Sequence, residues 1–235
     1  LKILPIPFNG KYDFHLVYVV RVSTQLSHGP ANYICYVDAN NGDLLMRMNT
    51  VLYEAPPQAN IHVEGEVYST HPFNPSSVEN LINLRVQNGG GNYYTDSLGN
   101  VNVPGSGNAT FSLEGLFAEV QTNGSVPTFN SQLSNTNVSF DNSNSTIQER
   151  TAFYSVNKIH DHLKSVFPTF TGLDYALETN IDVQGSCNAY YDGTINFFAE
   201  GNGCNATAKI PDVVYHEYGH GINNYRYGSG MWNGG

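Results

Sequence analysis

Pro211-Asp212-Val213-Val214-Tyr215-His216-Glu217-Tyr218-Gly219-His220 is the stretch from which the rest of the chain is read. Pro211 suits the first position of a helix, and Asp212 puts a carboxylate in the first turn, where the helix dipole favours it. Val213, Val214 and Tyr215 form an apolar lead-in. On such a helix, residues four apart differ by about 40° in azimuth and about 6 Å along the axis. His216 and His220 therefore leave one face and can grip one metal ion. Glu217 follows the first histidine and can sit beside a metal-bound water as general base. Taken alone, the motif also fits two ordinary histidines on an unremarkable helix.

Composition narrows the setting. The chain has 235 residues, 40% hydrophobic and 12% aromatic, which is globular rather than disordered. Only 13% is charged and the net charge is -10, so Asn, Ser, Thr, Gly and Tyr must cover much of the surface. That acidity argues against nucleic acid and against anionic membrane as partners, since both need basic patches. No run of 18 apolar residues is present, so no membrane span is expected. The chain starts at Leu1 and ends on Met231-Trp232-Asn233-Gly234-Gly235, and both ends read as cuts in a longer protein.

Three cysteines are present, Cys35, Cys187 and Cys204. Cys187 and Cys204 flank an expected hairpin and could pair, which suits an oxidising compartment; two buried thiols are the alternative. Cys35, between Ile34 and Tyr36 in an expected strand, reads as a core thiol. Asn108, Asn123, Asn137, Asn144 and Asn205 open N-x-S/T sequons, which matter only in a glycosylating host.

Periodicity divides the chain into three parts and predicts an α+β, multi-domain architecture. Residues 1–55 hold strands over 12–24 and 33–39, a turn at Asn40-Asn41-Gly42-Asp43 and a returning strand at 44–48, a β-meander too small for a comfortable core. Residues 56–143 follow a linker, Ala55-Pro56-Pro57-Gln58-Ala59. They show short strands at Ile61 to Tyr68, Leu81 to Val86, Tyr93 to Thr95, Phe111 to Leu113 and Leu116 to Val120, which read as a β-sandwich module. Residues 144–235 open with Thr146-Ile147-Gln148-Glu149, a capping-box spacing. Ala152, Phe153, Val156, Ile159, Leu163 and Val166 then recur at helical intervals until Pro168. A strand-rich stretch at 173–199 precedes the motif helix. Within it Asp192-Gly193 predicts a two-residue type I′ hairpin turn. His160 falls on the apolar stripe of the long helix and reads as a hydrogen-bonded core histidine, because it and His162 do not share a face.

The last 90 residues resemble the fungalysin-type branch of the thermolysin-like zinc metallopeptidases. Three blocks carry the resemblance: Ala152-Phe153-Tyr154-Ser155-Val156-Asn157-Lys158-Ile159-His160-Asp161-His162-Leu163, then Asn188-Ala189-Tyr190-Tyr191-Asp192-Gly193-Thr194-Ile195-Asn196-Phe197-Phe198-Ala199-Glu200-Gly201, then His216-Glu217-Tyr218-Gly219-His220-Gly221-Ile222. The family usually has Thr where Gly219 stands. Residues 1–55 resemble the end of a secreted peptidase's propeptide, and residues 60–122 faintly resemble carboxypeptidase-regulatory-like sandwiches.

The resemblance implies Zn2+ held by His216 and His220, with Glu217 as general base, and a protein or peptide substrate. It implies that Asn188 and Ala189 lie on an edge strand that holds the substrate backbone. It places the third zinc ligand, a glutamate, some 20 or more residues past His220, beyond Gly235 in a missing C-terminal subdomain. On this view the chain alone is inactive; Glu200 or His160 as an internal substitute has no precedent in the family. Ca2+ sites are common in thermolysin relatives, and Asp174, Asp182, Asp192 and Glu200 are the candidates, though nothing shows EF-hand spacing. A secreted, extracellular zymogen fragment is the expected setting. The competing expectation is a zincin remnant without activity, serving as a secreted or surface adhesion module.

Overall fold

The computed structural model describes residues 1–26, 29–51 and 57–228 of the 235. The end Met231–Gly235 and, of the expected 55–59 linker, Ala55 and Pro56 lie outside the described residues; Gln58 and Ala59 belong to a strand instead. The chain forms two compact units, Leu1–Ala55 and Pro56–Gly235.

The first unit is a four-stranded antiparallel meander. Strands β1 (Lys2–Phe8), β2 (Lys11–Leu26), β3 (Gly29–Asp38) and β4 (Leu44–Asn49) pair in chain order. The β3–β4 turn is closed by Asp38, whose carboxylate accepts from the Asn40 amide at 2.8 Å and bonds the His15 ring at 2.9 Å. Those two contacts hold the Asp38 carboxyl below its ordinary value. Cys35 is free and buried.

Among the described residues, the second unit carries two sheets and two helices. Strands β5 (Gln58–Val67), β6 (Ser77–Asn80), β9 (Asn100–Pro104) and β13 (Asn137–Phe140) form one sheet. Strands β7 (Leu84–Asn88), β8 (Gly91–Tyr94), β10 (Asn108–Gly115), β11 (Ala118–Thr122), β12 (Thr128–Gln132), β14 (Leu177–Val183), β15 (Ala189–Tyr191) and β16 (Ile195–Phe198) form the other, in the order β15-β16-β14-β11-β10-β7-β8, with β12 also on β10. Helix α1 spans Ile147–Val166, a single 3-10 turn spans Thr207–Lys209 and helix α2 spans Pro211–Tyr227.

Residues 56–143 and 144–235 were expected as separate modules, but they are not separate in space. Strand β11, from before residue 143, pairs in parallel with β14, from after it, over Ala118↔Leu177 to Thr122↔Ile181. One buried cluster runs from Ile61 and Val63 through Phe111 and Phe140 to Phe153, Phe197, Val214 and Tyr218. Alternation reports that a strand is half-buried, not which neighbour buries it. The parallel β11–β14 and β14–β16 pairs need long crossovers, and α1 lies in the first of them. The strand expected at Leu81 to Val86 is interrupted, because Asn83 takes a φ of 59° between β6 and β7.

The capping box of α1 is formed as its spacing predicts. The Thr146 hydroxyl accepts from the Glu149 amide at 3.4 Å, and the Glu149 carboxylate accepts from the Thr146 amide at 2.7 Å. Arg150, fully buried, pins α1 to β5 and to the preceding loop. It donates to the Glu66 carbonyl (2.7 Å), the Ser145 carbonyl (2.7 Å) and the Asn142 side chain (2.9 Å).

Candidate metal centre and substrate cleft

Helix α2 forms where the sequence places it, with Pro211 in its first turn. His216 and His220 point from one face, and their Nε2 atoms lie 3.0 Å apart. Two nitrogens that share a tetrahedral zinc at about 2.05 Å each would stand about 3.3 Å apart. The observed separation is therefore close to that of two ligands of one ion. Glu217 is 4% exposed, and its Oε2 is buried without a hydrogen-bond partner. Burial raises the Glu217 carboxyl above its ordinary value, and the His220 and His216 rings oppose that. An orphaned carboxylate oxygen beside two convergent imidazoles fits a metal-bound water as its missing partner.

These side chains face a cleft of about 980 Å³. Its other wall is the β15–β16 hairpin, from Cys187 to Gly193, and Thr207, Asp212, Val213 and Asn224 also line it. Strand β15 is the edge of its sheet. The Phe198 amide donates to the Asn188 carbonyl at 3.3 Å, so in antiparallel alternation the Ala189↔Phe197 pair is the non-bonded one. The Ala189 N–H and C=O therefore face away from β16, along the free edge. Asn188 is exposed beside them.

The hairpin turn differs from the expected two-residue loop. Tyr191 pairs with Ile195, leaving Asp192, Gly193 and Thr194 as a three-residue loop in which only Gly193 has positive φ (113°). The Asp192 carboxylate supplies the closure instead. It accepts from the Thr194 amide (3.2 Å), the Thr194 hydroxyl (2.8 Å) and the Asn196 side chain (3.1 Å). These bonds outweigh its burial and hold its carboxyl below the ordinary value.

Cys187 and Cys204 are joined by a disulfide, which ties the start of β15 to the loop before the 3-10 turn. Cys187 sits at φ 61°, a left-handed conformation that costs a non-glycine residue about 1 kcal/mol or more. The cross-link holds that bend in place.

Other candidates go elsewhere. His160 is 2% exposed, bonds Asp174 at 3.1 Å and stacks on Phe117. Glu200 pairs with Lys209 at 2.8 Å, Asp174 with Lys164 at 2.8 Å, and Asp182 accepts from Gln148 at 3.0 Å. Among the described residues, no three His, Cys, Asp or Glu side chains gather as a metal site, so neither Glu200 nor His160 joins His216 and His220. Sequence reading missed Thr207 and Asn224. Asn224 had a signal, since it lies one further helical step of four beyond His220. Thr207 had none, because its place in the cleft depends on how the chain folds back after Cys204.

No helix of the described residues is long and apolar enough to cross a membrane. Comparison with curated proteins gives no match. A family model described as the thermolysin metallopeptidase catalytic domain matches residues 75–224, a span that includes α1, the β15–β16 hairpin and both histidines of α2. That span is more than half of the chain, and the chain belongs to the thermolysin metallopeptidase family.

Proposed function

We propose that this chain carries the substrate edge and the metal-binding helix of a secreted zinc endopeptidase of the fungalysin type. The observation that carries the reading is the orphaned Glu217 Oε2 beside two imidazoles 3.0 Å apart, all facing one cleft. His216 and His220 would hold Zn2+ through Nε2. The ion, when bound, polarises the scissile carbonyl and acidifies a water molecule. Glu217 accepts the proton of that water at Oε2 and passes it to the leaving amine. Its burial, which raises the carboxyl's proton affinity, favours the first half of that transfer.

The substrate lies along β15 as an added strand. The Ala189 N–H and C=O pair with the peptide backbone, and the Asn188 side chain adds a polar contact beside the cleaved bond. The three-residue loop at Asp192 keeps this edge presented to α2. Residues 1–55 are read as the end of a propeptide, and the Cys187–Cys204 disulfide suits an extracellular setting. A catalytic zinc takes three protein ligands, and the two side chains read here as ligands are His216 and His220. We therefore expect the chain alone to be inactive, and zinc content is the primary measurement.

The test is elemental analysis after zinc loading and gel filtration of wild type, His216→Ala, His220→Ala and Glu217→Gln. The expected result is zinc in wild type and Glu217→Gln, lost in both histidine variants. Equal zinc in His216→Ala and wild type would overturn the assignment.

A further inference from the structure

Thr207 belongs to neither the motif nor the hairpin, yet it joins them. It is 6% exposed and lines the cleft. Its hydroxyl lies 3.0 Å from the Asn188 carbonyl and 3.3 Å from the Phe198 carbonyl. A hydroxyl has one proton, and the shorter contact, to Asn188, is the better bond. That carbonyl has two lone pairs, and it takes the Phe198 amide on one and Thr207 on the other. On its other side Thr207 is continuous with the metal-binding helix. The Ile210 amide donates to the Thr207 carbonyl at 3.1 Å, and the Ile210 carbonyl accepts from Val213 and Val214 at the start of α2.

The edge strand needs such a hold. β15 has three residues and one neighbouring strand, and it follows a left-handed bend at Cys187. Turning the Asn188 carbonyl inward fixes, by the alternation of the strand, the outward direction of the Ala189 N–H and C=O. We propose that Thr207 is a positioning residue: its hydroxyl locks the Asn188 peptide plane, and so sets the substrate-holding edge at a fixed separation from His216, Glu217 and His220. The inference rests on the reading of this cleft as a peptide site, and its test separates the two.

The experiment compares Thr207, Thr207→Val and Thr207→Ser in the full chain, each carrying Glu217→Gln so that nothing is cleaved. Valine keeps the shape and removes the hydroxyl; serine restores it. Two quantities are read with zinc present: amide hydrogen exchange over residues 187–198, and anisotropy of a fluorescein-labelled Ala-Leu-Ala-Phe-Ala-Leu peptide. With valine, exchange is expected to rise about fivefold and peptide affinity to fall about fivefold, the worth of one net hydrogen bond. Zinc content is expected to stay unchanged, and serine to restore both readouts. Exchange in Thr207→Val equal to wild type overturns the proposal, and so does Thr207→Ser behaving like Thr207→Val. Should the parent protein take no peptide, the peptide reading fails, while exchange and its rescue by serine still decide whether Thr207 holds Asn188.

Discussion

The Nε2 atoms of His216 and His220 stand 3.0 Å apart, across one turn of α2, with the orphaned Oε2 of Glu217 buried on the same helix. Two neutral imidazoles in that position can share one hydrogen bond between them, and one metal ion satisfies both lone pairs. Zinc should therefore bind with release of that bond. His216→Ala or His220→Ala is expected to weaken zinc by about 100-fold or more, since loss of a mere supporting contact already costs about 10- to 100-fold. Competition against a fluorescent zinc chelator measures this. Unchanged affinity in either variant would show that the two rings are not ligands.

Gly219 and Gly221 flank His220 and differ in what surrounds them. A Cβ on Gly219 meets nothing within 4 Å, whereas one on Gly221 meets Tyr191 at 3.3 Å and Leu173 at 3.4 Å. Alanine relieves the conformational freedom of a mid-helix glycine, worth about 1 kcal/mol. Gly219→Ala should thus raise the urea midpoint. Gly221→Ala should gain less or lose, because Tyr191, a wall of the cleft, has to give way. Equal midpoints for the two variants would contradict this ranking.

Arg150 is a buried cation satisfied mainly by neutral oxygens, those of Glu66, Ser145 and Asn142. Removing it takes the donor from the carbonyls of two half-buried residues, Glu66 and Ser145, between α1 and β5. Arg150→Met is expected to cost about 1–3 kcal/mol, from the lost charge-assisted bonds to those carbonyls, partly offset by the lost cost of burying the charge. Chemical denaturation of the full chain gives the number. A neutral result would mean that the methionine repacks and the orphaned carbonyls find water.

The disulfide closes a separation of 17 residues around the hairpin. In the chain-entropy picture a loop of that size is worth about 3 kcal/mol. Cys187→Ser with Cys204→Ser should lower the melting temperature, and exchange should rise first over residues 187–204. A melting temperature equal to wild type would show that the β15–β16 pairing and Thr207 suffice to hold the loop.

The motif helix, the α1 cap and the hairpin were legible because each is local: Pro211 with Asp212, Thr146 with Glu149, and apolar strands around Gly193. Sheet partners were not. Nothing in Ala118 to Thr122 announces that it will lie parallel to Leu177–Val183, because alternation is the same for any partner that buries the same face. The fold therefore broke the expected boundary at residue 143 while leaving the strands near where they were expected. The loop at Asp192 shows the same limit at short range. Asp-Gly predicts a turn, but the side chain of Asn196, four residues on, helps decide its length.

Asp174 bridges α1 to the loop that brings Leu173 against α2. Its carboxylate takes Lys164 at 2.8 Å and the buried His160 ring at 3.1 Å. The Lys164 bond, ahead of the opposing effect of burial and aided by His160, holds its carboxyl below the ordinary value of 3.8. A group whose folded value is depressed contributes stability above its unfolded value and loses it as the pH falls through the folded one. This contact should therefore be fully present at neutral pH, weaken as the pH falls past about 4 and vanish below the folded value. Asp174→Asn should lower the urea midpoint at pH 7 and bring it toward wild type at pH 2–3. Because the pair is about one-third exposed, salt should shrink the effect at pH 7 as well. A midpoint difference that stayed constant from pH 7 to pH 2 would place the role of Asp174 in packing rather than in its charge.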